Sequence, residues 1–199
     1  MTRPSKLLLA LLPIAIPLLP QDGAVQERTQ EEFESALRQA AMTFTVPKDF
    51  TVIPVVDNPD VRYQYAISAA SVKLEIRYLI RPLASDVLEY QRNGGKGLDP
   101  NTLYRAMLLA ICLNLSDGTT CNPSAFNTED VRKEFGADAG LAAFVKLKSD
   151  FGKGYKGCLI NVIHVKNKAD AFTFFLFDDL PAVQSTCFRD DVFHALKFE

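Results

Sequence analysis

The chain has 199 residues, 48% of them hydrophobic, and a formal net charge of -2 with both signs mixed along its length. That size and composition suit one compact domain with a sizeable core and exclude a disordered chain. No basic excess is available to neutralise a phosphate backbone, which argues against a nucleic-acid partner.

The N-terminus has the form of a secretion signal. Arg3 and Lys6 precede an uncharged apolar run, Leu7 to Leu19, and the chain turns polar after Pro20. The run is short for a bilayer span, and Pro13 and Pro17 suit a membrane helix poorly. The reading is a signal peptide over 1–24 and a single domain over 25–199, exported to the periplasm or outside the cell. The mature chain then has no integral membrane span. An interfacial anchor or a buried helix is the alternative.

Residues 29–41 predict an amphipathic helix, with Phe33, Ala36, Leu37, Ala40 and Ala41 on one face and a Thr29–Glu32 capping box at its start. Short strands follow at 42–46 and 51–56, the second irregular because Pro54 removes a donor. Residues 61–67 and 73–80 alternate cleanly and predict an antiparallel hairpin. Its polar face carries Arg62, Gln64, Lys73, Glu75 and Arg77, while Tyr63, Tyr65 and Tyr78 face the core or line a cleft. That polar set reads either as a wet sheet face or as a docking surface. Residues 82–98 read as irregular, with a flexible loop at 92–97.

A helix starts at Asp99-Pro100-Asn101. From Ala106 onward it is apolar nearly all round, which predicts deep packing. Asn127 or Thr128 caps a short helix that stops at Gly136. A strand follows at 141–148. The loop Lys146–Gly157, with Lys153 and Lys156 among its lysines, reads as a solvated connection or an anion cradle. It does not match a P-loop.

Gly157 to Asp178 predicts a second hairpin turning at Lys166–Asp170. Phe172, Phe174 and Leu176 point one way, and Ala171, Thr173, Phe175 and Phe177 the other, so both faces need cover. A final helix is predicted over about 184–197, with Phe188, Val192, Phe193 and Leu196 inward. The order gives an α+β fold: an α/β/α sandwich on an antiparallel sheet with helices on both faces.

All four cysteines lie beyond the apolar N-terminal run. In an exported chain an even count permits two disulfides with three possible pairings. Cys112 near a helix end pairs with Cys121 in the following loop. Cys158 opens a strand whose partner ends near Cys187. The alternative is that Cys112 and Cys158 are ordinary buried thiols. There is no C-x-x-C, and the sequence nominates neither a metal site nor a cofactor. His164 on a strand reads as a core or sheet-face histidine. His194 follows Asp190 by one helical turn and reads as a surface pair.

The phrases FTVPKDFTVIPV, YQYAIS, KLEIRYLIRPL, KADAFTFFLFDD and the terminal ALKF resemble the PsbP-like fold group over residues 42–199. That group includes an extrinsic photosystem II subunit, a nuclear Ran-binding protein and exported bacterial proteins of unknown role, and this chain is most similar to the last. The resemblance implies an α/β/α sandwich on an antiparallel sheet. It carries no catalytic motif, and fold alone does not transfer photosystem or Ran binding.

With no hydrolase or metalloprotease motif in the chain, the leading expectation is a non-enzymatic exported binding or adaptor domain that docks a protein partner. The alternative is a small-ligand or lipid binder, or a hydrolase, with its pocket between the sheet and helix 99–116. An anti-bacterial immunity-type role stays open beside them.

Overall fold

The computed structural model describes residues 22–58, 60–116, 121–148 and 154–199, with side chains from Arg28 onward. The proposed signal segment and Lys153 therefore lie outside the described residues, apart from the backbone of 22–24. The elements in chain order are α1 Asp22–Ala40, β1 Met42–Phe44, β2 Phe50–Val52, β3 Tyr65–Ala69, β4 Leu74–Pro82 and α2 Ala84–Arg92. Then come α3 Leu103–Leu115, β5 Ser124–Ala125, α4 Thr128–Phe135, β6 Ala139–Lys146, β7 Gly157–Val165 and β8 Ala169–Phe177. The chain closes with α5 Leu180–Cys187, α6 Asp190–Phe193 and β9 Leu196–Phe198.

The fold is α+β. Its seven-stranded sheet has the order β2-β3-β4-β8-β7-β6-β5, with every neighbouring pair antiparallel. At its centre, β7 and β8 pair without interruption from Gly157↔Phe177 to Val165↔Ala169. The period-two alternation of β8 divides the core. Phe175 and Phe177 join a cluster with Phe33 of α1, Phe135 of α4 and Val183 of α5. Phe172, Phe174 and Leu176 join a second cluster with Leu108, Cys112 and Leu115 of α3. These five β8 residues other than Phe177, which is 1% exposed, are completely buried.

Several expectations are corrected. α1 begins at Asp22, so Thr29 lies inside the helix and is not its cap; Ala41 leaves the helix with φ 46°. The segment read as irregular contains α2, which buries Val87 while Leu83 just before it is fully buried. The hairpin turn is Lys166 to Lys168, with Asn167 at φ 60°, and Asp170 belongs to β8. The single final helix is replaced by α5, α6 and β9, and β9 pairs with β1 through Met42↔Phe198. That split leaves Phe188 46% exposed. α3 is packed on one side only, since Leu109 and Leu113 are exposed.

α4 shows how local chemistry sets an element. Asn127 Oδ1 accepts from the N–H groups of Glu129 and Asp130, and Gly136 ends the helix at φ 62°. A Cβ on Gly136 would also lie 2.8 Å from the Phe198 carbonyl oxygen, so this cap doubles as the seat of β9.

Candidate functional site

The hairpin β3–β4 was nominated for its polar face, and each nominated group has a place. Arg77 is 3% exposed, so the face is not wet at that point. Its Nε donates to Glu75 Oε1 at 2.6 Å, and its guanidinium lies 4.7 Å from the Tyr63 ring centre. Tyr63 precedes β3 and lies over Arg77; its hydroxyl accepts from the Val56 N–H at 2.9 Å. Burial of the ring pushes the Tyr63 hydroxyl pKa up.

Gln64 continues the ladder with its side chain. β3 begins only at Tyr65, opposite Tyr78, but β4 runs on to Pro82. The Gln64 amide donates to the Ile80 carbonyl at 3.2 Å, and its oxygen accepts from the Ile80 N–H at 2.8 Å. One side chain thus answers both main-chain groups on the exposed edge, and Pro82 offers no N–H beyond them. Lys73 ties the hairpin turn to the end of β8, with Nζ 2.8 Å from Asp178 Oδ2 and 3.0 Å from the Gly154 carbonyl oxygen. Lys156 is exposed.

Of the nominated residues, Gln64 borders one depression and Arg62 borders two. Its Nη2 meets Glu32 Oε2 of α1 at 2.8 Å in an exposed pair. Two depressions share these two side chains. One, of about 420 Å³, lies between Arg28, Thr29 and Glu32 and the segment 55–63. The other, of about 410 Å³, lies between the α1 flank (Ser35, Ala36 and Gln39) and Gln64, Leu79 and Pro82. β3 begins only at Tyr65, so among the described residues no strand pairs with the end of β4 on its β3 side, beside α1. The two depressions adjoin at the Glu32–Arg62 pair. Sequence reasoning missed Glu32, Ser35 and Gln39, although their helical spacing beside the buried Phe33–Ala40 face was the available signal.

A second polar cluster crosses the sheet in register. Arg81, Asp170 and His164 are cross-strand neighbours on β4, β8 and β7. His164 Nδ1 meets the fully buried Asp170 at 2.7 Å, and Arg81 Nε approaches the other carboxylate oxygen at 3.2 Å. The Tyr104 ring stacks on His164 at 4.6 Å, and Arg81 Nη2 donates to the Pro100 carbonyl at 3.3 Å. The row locks α3 to the sheet. His164 is sheet-facing, as its sequence position suggests, while its partners came from register that sequence alone did not supply. On the other side, His194 uses both ring nitrogens, towards Asp190 at 2.9 Å and Glu134 at 3.2 Å. It bridges α6 to α4 and has no free nitrogen for a metal.

Cys112 and Cys121 form a disulfide. The expected Cys158–Cys187 bridge is absent: both thiols are free and buried. Cys158 belongs to the cluster beneath α3 and Cys187 to the cluster beneath α1, so the sheet separates them. Burial raises both thiol pKa values, that of Cys187 to about 12, which keeps them protonated and inert at neutral pH.

No family model matches the chain, and no curated protein does. The layer between α3 and the sheet, where a ligand pocket was the alternative expectation, is filled by Leu108, Cys112, Leu115, Ile160, Phe172 and Phe174, all completely buried. No helix among the described residues is long and apolar enough to cross a membrane.

Proposed function

We propose that this is an exported, non-enzymatic adaptor domain that docks a protein partner in the groove between α1 and the end of β4. The observation behind the reading is that two depressions adjoin, sharing Glu32 and Arg62. A long corner with an ion pair on its border suits a segment of polypeptide better than a small compact ligand, whose site is usually concave and mostly apolar. Export is supported by the Cys112–Cys121 disulfide, since such bonds persist in oxidising compartments, together with the signal-like 1–24 sequence. The PsbP-like resemblance is part of the same proposal, and its phrases cover strands of both hairpins.

Site-directed photocrosslinking in the native cell tests the docking. A photoreactive residue replacing Gln39 or Asp57 should capture one discrete protein species, whereas the same residue replacing exposed Leu88 on α2 should not. Equal capture from all three positions, or none from the groove, overturns the reading.

A further inference from the structure

We propose that the pocket between α4, α6 and the connection from β5 is a second binding site, separate from the groove, which holds the quaternary ammonium group of a small solute such as choline. The pocket has a volume of about 180 Å³. Sites for drug-sized ligands run from about 300 Å³ upward, so this one takes a single head group. Its walls are the side chains of Phe126, Phe135 and Phe193, with Asp130 and Glu134 of α4 in the same lining.

The sequence builds this place from a cap, a helix face and a glycine. Asn127 starts α4, and the i, i+4 spacing puts Asp130 and Glu134 on one face. Gly140 on β6 makes room for the wall, since a Cβ there would collide with Phe126 and Val131. The Phe126 and Phe135 rings lie almost parallel, at 4° with centres 6.2 Å apart. Phe193 stands against Phe135 at 64° and 5.7 Å, and stacks on fully buried Phe175 at 5.9 Å. The rings are therefore held in place before a ligand arrives. All of them pack on the α1 side of the sheet, whereas Cys121 is tied by its disulfide to the α3 side. Gly140 lies six residues before Lys146, about 20 Å along β6 from the end that leads to 149–153. The N-terminal half of α1 adjoins the 55–63 segment, towards the opposite edge of the sheet.

Charge and hydrogen bonding decide the ligand class. The lining holds two carboxylates and no Lys or Arg. Among the described residues Asp130 pairs with no cation, and Glu134 meets only His194 Nε2, at 3.2 Å. The positive end of α4 is already answered, because Asn127 Oδ1 accepts from the Glu129 and Asp130 N–H groups. The carboxylates therefore attract a cation, and aromatic rings within about 6 Å draw it further through their quadrupoles. A primary ammonium would bring three N–H donors to a wall of rings, whereas a quaternary one leaves no donor stranded. A phosphate attached to the head group would meet the same carboxylates with no basic residue to take it, which favours choline over phosphocholine.

The test is an NMR titration of the folded, oxidised full chain with choline. The choline methyl protons should give nuclear Overhauser contacts to the Phe126, Phe135 and Phe193 rings, with saturable shifts. The neutral carbon isostere of choline should bind about tenfold more weakly. Phosphocholine and methylammonium should also bind more weakly than choline. These comparisons use one unchanged protein, so a folding defect cannot imitate them. Asp130→Asn, at an exposed position, should weaken choline about threefold, and Arg62→Glu in the groove should leave it intact. Absence of saturation, methyl contacts away from the three rings, or binding of the isostere, phosphocholine or methylammonium as tight as that of choline, each overturns the site.

Discussion

The β7–β8 hairpin pairs nine residues with nine, whereas the β3–β4 hairpin sets a five-residue strand against a nine-residue one. In the first, the β8 side chains alternate between two apolar clusters. In the second, a buried Arg77 is matched to Glu75 and Tyr63, and the amide of Gln64 completes the ladder. The first hairpin is specified by volume and the second by partners. Errors should therefore cost different things: an empty space in one, a stranded polar group in the other.

The largest effect is expected in the apolar hairpin. Phe174 is completely buried and sits against Ile160 and Arg77 in register. Phe174→Ala should destabilise the fold by about 3–5 kcal/mol, as large aromatic truncations in cores do. Urea unfolding would report it, and a loss below about 1 kcal/mol would show that the centre of the sheet is loosely packed.

The β3–β4 hairpin should respond through pairing. Arg77→Ala leaves Glu75 without its counter-charge and should cost about 3 kcal/mol. Replacing both residues, Arg77→Met with Glu75→Gln, should recover most of that loss, because an apolar or neutral pair carries no stranded charge. A double-mutant cycle checks the claim. Strict additivity of the two substitutions would mean that Tyr63 packing, and not the ion pair, fixes Arg77.

The same division governs what the sequence made legible. The β8 alternation and the Asn127–Gly136 limits of α4 were readable because each depends on near neighbours. The burial of Arg77 was not. Alternation tells which face a side chain takes, but the cover comes from Tyr63, outside either strand. α2 carries Leu83, Val87 and Tyr90 at helical spacing, but its period is short and runs straight into Gly94, Gly95 and Gly97, which favour a loop. The helical appearance of 184–197 was overridden at its end, where Leu196–Phe198 finds β1 from the start of the domain. The groove depended on Glu32 and Arg62, thirty residues apart, and no local pattern links them.

Gln64 offers the finest separation of shape from partner. Gln64→Ala removes two hydrogen bonds to Ile80 at a partly buried edge and should cost about 1–2 kcal/mol. Gln64→Glu keeps the shape and the acceptor for the Ile80 N–H but turns a carboxylate oxygen towards the Ile80 carbonyl. Only the protonated acid can donate there, so the folded state should raise the pKa of this new carboxyl above its ordinary value of about 4.3. With the native state holding the extra proton, the stability of Gln64→Glu relative to the wild type should rise as pH falls through that range. Thermal unfolding from pH 7 to pH 4 would show the gap closing. A gap independent of pH would mean that water, not the side chain, serves the Ile80 carbonyl, and that the β4 edge is more open than its geometry implies.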